Sequence, residues 1–486
     1  MSAIITEKFR QHNANQFSES FTETAGNAYY LFLGKATPFT SGTTSGSDSS
    51  PPTPQDGEQD ETRAWDAMLA AKKISSSDIT FAIPRRNWAN GTTFDMYEHD
   101  VSSSNTSTSG ASNLYDSTFY FVTSAFRVYK VLDNNAGTAY DGAEPTSTSS
   151  SAFELGGYVL KYMYSISTTD IGKYVTTDFV PVSTDSTVSA AAVDGAIESL
   201  RVTAGSGYTD GTYYAAVYGD GTNQGTSSGA IVRITVSGGA IAAFGLTAGT
   251  DTTIHATGAS YTYGYVNLGA GYTFSDSGLS SASNMGGSGG AVEVIVSPEG
   301  GHGKNAVTEL GGHFILTATT ISQAENDDFS TANDFRQVGI VIDPTNYGTT
   351  TVATATTARQ TFVVKLSSYS GTFEADEVIT QATTGAVGKV VEWDSTLQLL
   401  YYQQESFKGF GTDATTGGNA LFTGTTTITG GTSGATGTPS STSSETVTLA
   451  NSNTLTLTSG YANPELQPDS GDIIYLENRK PIQRAS

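Results

Sequence analysis

A mainly all-β protein with a few short helices is what this sequence predicts, on three observations. Only 14% of residues are charged, while Gly (54), Tyr (25) and Phe (22) are abundant and Ser and Thr run throughout. That composition builds strands and tight turns, with hydroxyl side chains solvating the outer faces. Short apolar runs, alternating or clustered, recur between Ser/Thr/Gly-rich stretches. One segment alone carries convincing helical spacing. At 486 residues the chain exceeds one core and should divide into roughly three units of about 150 residues.

Near the N-terminus, Tyr29-Tyr30-Leu31-Phe32-Leu33 is an apolar run ended by Gly34, suited to a strand buried on both faces. Residues 41–57 read as a Ser/Pro/Gly surface loop in preference to a polyproline ligand, despite Pro51-Pro52 and Pro54. The organising stretch is 61–90, which holds Trp65 and Trp88. Trp65, Met68, Leu69 and Lys72 recur at i, i+3, i+4 and i+7 with alanines between, which predicts a helix capped by Thr62. Ser75, Ser76, Ser77 and Asp78 end it, because short polar side chains compete for backbone hydrogen bonds. Ile79-Thr80-Phe81-Ala82-Ile83 then alternates as a strand that Pro84 stops, and Asn90-Gly91 is a hairpin signal.

Residues 102–112 form a low-complexity loop, and 119–132 read as one long strand or a hairpin arm. Residues 155–166 are a further strand, and a first large unit closes near Asp185. Between 190 and 296, Gly-Tyr-Thr passages at 207–209 and 271–273 flank apolar alternations at 231–236 and 241–246, separated by Gly238-Gly239. This suggests a small, duplicated Gly-rich β module. Ser297 to Gly303 is the junction back, and 334–344 is a strand. Residues 373–380, 385–393 and 397–402 read as a meander, followed by a Thr/Gly/Ser tract at 424–444.

Ala82-Ile83-Pro84-Arg85-Arg86-Asn87-Trp88 resembles an Ile-Pro-Arg-Arg-Asp-Trp segment of the baseplate wedge protein of T-even-type contractile-tailed phages, with Asn87 in place of the acid. A Trp-bearing helix precedes that segment in the family. Four more stretches resemble the family in the same order along the chain. Gly34-Lys35 with Pro38-Phe39 is similar to a glycine, a basic residue and a later Pro-aromatic pair after a strand. Gly157-Tyr158-Val159, with Tyr162 and Ile166, resembles a family strand, as does Phe335-Arg336-Gln337-Val338 with Ile340 and Pro344. Ser470-Gly471-Asp472, Ile474-Tyr475, Glu477-Asn478-Arg479 and Pro481-Ile482 match most specifically. In the family an acidic turn and an apolar β segment follow, so the expectation at Ser486 is either a truncated chain or an open sheet edge, truncation being preferred.

The resemblance implies a β-sandwich core with short helices in loops, interrupted by two inserted Gly/Ser/Thr-rich β modules. The segments expected are 1–190 as the first part of the core, 191–300 as a module, 301–345 as core, 346–466 as the second module and 467–486 as the last core part. It implies a structural virion subunit of the tail baseplate, assembled in the host cytoplasm. The subunit would be homodimeric, packed against other wedge proteins and without catalysis or cofactor. The inserted modules would decorate the outside, touching neighbours or host surface glycans. Candidate interface residues are Trp65, Met68, Leu69, Arg85, Arg86, Trp88, Arg479 and Lys480.

Charge and composition narrow the alternatives. A formal charge of −24 disfavours nucleic acid and anionic membranes and favours basic partners. Within 61–90 the acids Glu61, Asp66 and Asp78 are outweighed by Arg63, Lys72, Lys73, Arg85 and Arg86, a locally basic element on an acidic body. Cysteine is absent, which removes disulfides and Cys-based zinc sites. Residues 1–11 lack the apolar stretch of a secretion signal, and no apolar run nears the ~20 residues of a spanning helix. The histidines His12, His99, His255, His302 and His313 show no metal-clip spacing. His302, in Gly-Gly-His-Gly, is read as a metal ligand, a subunit contact or an incidental turn residue. No phosphate loop or recognisable catalytic carboxylate pair is present, so no catalytic or metal residue is assigned. Arg85-Arg86 and Arg479-Lys480 suit docking to a neighbour or bridging within the core, against exposed pairs worth ~0–1 kcal/mol. The rival to a wedge subunit is an adhesin-like β protein that recognises carbohydrate, with a depolymerase third.

Overall fold

The computed structural model describes the chain apart from residues 1–5, 24–25, 40–45, 222–228, 269–270, 276–277, 322–333, 405–418, 450–451 and 483–486. Strands dominate, with five short α-helices among the described residues, so the all-β reading holds. Two compact units emerge, one of residues 1–19 and 79–318, the other of 20–78 and 319–486. The stretch 61–90 is therefore not one element, because it is divided after Asp78.

The second unit is built on Tyr29–Gly34. This strand lies in the middle of an antiparallel sheet ordered Thr357–Arg359, Met68–Lys73, Tyr29–Gly34, Phe335–Ile342, Asp472–Ile482. Tyr30 and Phe32 enter one apolar core, and Leu31 and Leu33 pack against another. A sheet covered on both faces explains why the run is continuously apolar. Gly339 faces Phe32 so closely that a Cβ would collide with that ring and lie 2.7 Å from the Tyr475 carbonyl oxygen.

The helix expected to carry Met68, Leu69 and Lys72 is corrected. It covers Glu58–Ala67, and from Met68 to Lys73 the chain is a strand. Gly57, not Thr62, occupies the N-cap position. The alanine-rich segment has good helix propensity, but it pairs with strands on both sides, and tertiary pairing overrides propensity. Met68 and Ala71 enter one core and Leu69 and Ala70 another, so both faces of the strand are buried.

The meander expected over 373–402 is present, its first strand shortened to Val378–Gln381 and the others shifted to Ala386–Asp394 and Leu399–Gln403, but it closes on itself. Phe362–Ser370 pairs with Leu399–Gln403 on one side and Thr436–Pro439 on the other. With Val378–Gln381, Ala386–Asp394 and Ile428–Gly430 these form a six-stranded barrel around Leu366, Ile379, Leu400, Tyr402 and Phe422. The Thr/Gly/Ser tract is thus structural, supplying two barrel strands.

In the first unit, Tyr120–Val122, Arg127–Asp133, Tyr158–Ser165 and Phe153–Leu155 form a four-stranded sheet. Ile79–Pro84 pairs with Phe314–Thr317 and Phe179–Pro181 in a three-stranded sheet. Ile83 and Val180 from the smaller sheet share one aromatic core with Tyr120, Tyr129 and Tyr164 from the larger. Residues 119–132 resolve as a hairpin, turned at Phe126 with φ 55°. Asn90-Gly91 turns the chain without making a hairpin, and the Gly91 N–H donates to the Tyr140 carbonyl at 2.9 Å. The loop at 102–112 is pinned: Ser109 donates to Asp95 through N–H and Oγ, both at 2.7 Å.

Ile197–Thr203 pairs with Ala291–Val296, bringing together the two ends of the Gly-rich segment. Between them Gly211–Gly219 and Ala230–Ser237 pair, and Gly238-Gly239 turns the chain at φ 63° and 78°. The core of this segment also takes in Leu132 and Val159 from the four-stranded sheet. Glu7–Ser20, to which the sequence reading assigned no structure, is the longest helix among the described residues, with only Gln11 and Ala14 buried.

Candidate functional site

The apolar members of the candidate interface are spent inside their own chain. Trp65 is 5% exposed, Met68 0% and Leu69 2%. Trp65 and Met68 pack with Tyr30, Phe32 and Val341, while Leu69 packs with Val363, Leu399 and Tyr401. The stripe that suggested a partner-facing helix is a stripe facing two cores.

Arg85 and Arg86 are half-buried and committed within the first unit. Arg85 donates from Nε to Asn87 Oδ1 and from Nη1 to the Thr176 carbonyl, both at 2.9 Å. Arg86 donates from Nη2 to the Tyr115 carbonyl at 2.8 Å and lays its guanidinium 4.4 Å from the Tyr120 ring centroid. Burial pushes its pKa down from the usual arginine value, with Tyr120 and nearby carboxylates opposing the shift. Trp88 meets Tyr140 edge-on at 5.8 Å, and its backbone N–H donates to Val122 at 2.8 Å. Of the two roles open for this pair, the geometry places Arg86 in bridging within the core. Arg479 and Lys480 lie on Asp472–Ile482, the last strand of its sheet among the described residues, and both are exposed. Arg479 is paired with Glu477 on the same strand at 2.7 Å. On this strand Ile474 and Tyr475 are 47% and 49% exposed.

The most unusual constellation joins residues that the sequence reading left apart. Lys130 and Lys161 are directly opposite in the pairing of Arg127–Asp133 with Tyr158–Ser165, and both are buried. Like charges facing across a strand pair repel, so each needs its own carboxylate. Lys130 pairs with Glu309 at 3.1 Å, with side-chain exposures of 0% and 2%, and Lys161 pairs with Glu198 at 2.8 Å. The Lys130 ammonium also lies 3.7 Å from the Tyr97 ring centroid and 2.9 Å from His302 Nδ1.

Burial lowers the Lys130 pKa against the pull of Glu309. Burial first, then Lys130 and Lys161, holds His302 well below the usual imidazole value. An ammonium offers only donors, so Nδ1 of the neutral ring accepts and Nε2 carries the proton. That Nε2 finds no hydrogen-bond partner among the described residues. Glu309 Oε1 accepts the backbone N–H of Gly303 at 2.7 Å and of Asn305 at 3.3 Å, so one carboxylate ties the lysine to the 303–305 turn. His302 is therefore a buried partner of Lys130, not an incidental turn residue. Among the described residues no group of three or more His, Asp or Glu is placed to hold a metal. Nor is any described helix long and apolar enough to cross a membrane.

Residues 3–152 match the family described as Phage-Gp8: Bacteriophage T4, Gp8. The strands at 335–342 and 472–482 lie beyond that match. Comparison with curated proteins finds no match.

Proposed function

With residues 3–152 related to the baseplate wedge protein family of bacteriophage T4 Gp8, we propose that this protein is a structural subunit of the baseplate wedge of a contractile phage tail. A structural role in a phage baseplate is the part the kinship supports directly. In the finer reading, the subunit assembles in the host cytoplasm and is retained in the virion. It holds neighbouring wedge proteins together and lets their interfaces shift when the baseplate rearranges, and it carries out no chemistry.

One observation carries this reading beyond the matched region. Tyr29–Gly34 lies inside the match and bonds directly to Phe335–Ile342, with Tyr30 opposite Val341. That strand bonds in turn to Asp472–Ile482, with Gln337 opposite Asn478. The two late segments that resemble the family thus complete the sheet that the matched region begins. Sheets covered on both faces and buried ion pairs make stiff bodies, which suits a part that keeps its shape while neighbours move.

Homodimerisation belongs to the same proposal, and its contact is placed on Asp472–Ile482. Trp65, Met68 and Leu69 are buried by their own chain, whereas Ile474, Tyr475, Arg479 and Lys480 are exposed on a strand that is the last of its sheet among the described residues. Light scattering on the full chain should give twice the chain mass, falling to one chain in Ile474→Lys/Tyr475→Lys. A wild-type chain that is monomeric at all concentrations would remove the dimer. Mixing the full chain with the other wedge proteins of its phage should give a stable complex by mass photometry. Failure to bind any of them would overturn the wedge assignment. The Gly-rich segment at 191–300 is proposed to face outward, towards neighbours or cell-surface glycans.

A further inference from the structure

One groove in the first unit has the chemistry of a ligand site. Its volume is about 710 Å³, and its lining includes His99, Asp100, Arg201, Tyr265, Asn267 and Glu293. Its walls come from the Gly264–Val266 strand and from the paired strands Ile197–Thr203 and Ala291–Val296. Val292 and Val294 beneath it are buried, so the floor is fixed by the core.

Three features make the groove a prepared surface. Tyr265 is 57% exposed, and it lies against Tyr218 at 5.8 Å with the rings 31° apart, so a flat aromatic surface is open to solvent. Arg201 is held from two sides, by Glu98 at 2.9 Å and Glu293 at 2.6 Å, so its planar guanidinium is oriented in advance. Burial lowers the His99 pKa and keeps the ring neutral at pH 7. His99 Nδ1 accepts the Val296 N–H at 3.4 Å, which leaves the proton on Nε2. An exposed flat ring therefore stands beside carboxylate acceptors, a fixed guanidinium donor and an imidazole donor.

We propose that this groove binds a neutral saccharide, with a pyranose ring stacked on Tyr265 and its hydroxyls bonded to Asp100, Glu293, Arg201 and His99. Sugars match the pattern because one face of the ring presents C–H groups while its edges present closely spaced hydroxyls that both donate and accept. Carboxylates need donors, which hydroxyls supply. Charge selects the neutral class: Asp100 and Glu293 outweigh Arg201 in the lining, Glu98 adds a further negative charge, and the chain carries −24. Sialylated or phosphorylated glycans would be repelled.

The inference rests on the outward role proposed for the 191–300 segment, but not on assembly into a wedge. The test is a glycan array probed with the full chain, carrying neutral hexose and N-acetylhexosamine oligosaccharides beside sialylated and phosphorylated ones. Hits are followed by saturation-transfer NMR and titration. Neutral oligosaccharides should be retained, Tyr265→Ala should weaken binding about tenfold, and Tyr265→Phe should stay near wild type. Unchanged melting of both variants would confirm that the fold is intact, which the exposure of Tyr265 favours. No retention of any neutral oligosaccharide, preference for anionic ones, or unchanged affinity in Tyr265→Ala would each overturn the proposal. None of these results touches the complex with wedge proteins, so the two readings fail separately.

Discussion

Replacing Lys130 with Met should loosen the first unit selectively, and the structure sets the size of the effect. The substitution keeps the side-chain volume close but leaves Glu309 in a site where its side chain is 2% exposed, with no cation opposite. Breaking a fully buried ion pair from one side costs ~3–5 kcal/mol. A second substitution separates charge from hydrogen bonding. In Lys130→Met/Glu309→Leu the buried Gly303 N–H loses its acceptor, while that of exposed Asn305 can turn to water, so a further ~1–3 kcal/mol for the Gly303 group opposes recovery. In Lys130→Met/Glu309→Gln a neutral amide oxygen still accepts those bonds, so most of the stability should return. Hydrogen–deuterium exchange read by mass spectrometry at pH 7 resolves this by peptide. Exchange across 127–133 and 299–312 should rise about a hundredfold in Lys130→Met, as ~3 kcal/mol requires. It should fall back in the Gln double variant, while peptides over 338–342 in the other unit stay unchanged. The same exchange in Lys130→Met as in wild type, or no recovery in the Gln variant, would refute the argument.

Other outcomes follow from single contacts. Gly339→Ala places a methyl against the Phe32 ring and the Tyr475 carbonyl, so overpacking of ~1–3 kcal/mol should lower the urea midpoint of the second unit; an unchanged midpoint would show that the sheet gives way freely. Arg86→Ala should lower the melting temperature of the first unit, because it removes the bond to Tyr115 and the cation over Tyr120. Arg479→Ala/Lys480→Ala should instead slow association with partners at low salt and flatten its salt dependence; equal rates at every ionic strength would dismiss steering. Acid sensitivity should trace in part to His302. Its pKa in the fold lies well below 6.5, so the unfolded chain binds the extra proton, and stability present above that pH is lost below it by up to ~1.4 kcal/mol per pH unit. Asp133, pushed up to about 6 by burial, acts in the opposite sense, adding stability as pH falls through that value. Urea melts at pH 6.5 and 5.5 should therefore show a smaller loss in His302→Asn than in wild type, and equal losses would contradict a buried neutral ring.

The strands legible in the sequence are those whose burial leaves a mark on composition. Tyr29–Gly34 is covered on both faces and is apolar at nearly every position, so its strand state could be read directly. Met68–Lys73 reads as helix because alanine serves a helix turn and a crowded strand equally well, and its strand partners at 29–34 and 357–359 are invisible locally. The barrel strand Thr436–Pro439 carries almost no apolar residue, since threonine faces outward and the space inside at Gly437 is filled by Leu366. The helix Glu7–Ser20 buries so little that its sequence is mostly polar, with Phe9, Ala14 and Phe17 too few to mark an apolar face. The buried lysines did leave a signal, a lone Lys amid Val-Tyr-Lys130-Val and Val-Leu-Lys161-Tyr, in strands whose interior positions are otherwise apolar on both faces. Their carboxylates lie 37 and 179 positions away, so the pairing itself could not be read. The interface residues divide in the same way. A stripe of Trp65, Met68 and Leu69 looks identical in sequence whether it faces a partner or a core.

The central claim, a structural part of a contractile tail, is tested most directly on the particle itself. Gold-conjugated antibody against the full chain, applied to purified virions of the phage that encodes it, reads position under the electron microscope. The label should be confined to the baseplate at the tail tip, symmetric about the tail axis. Label on the head or fibres alone, or absence of the chain from purified virions by mass spectrometry, would contradict the assignment.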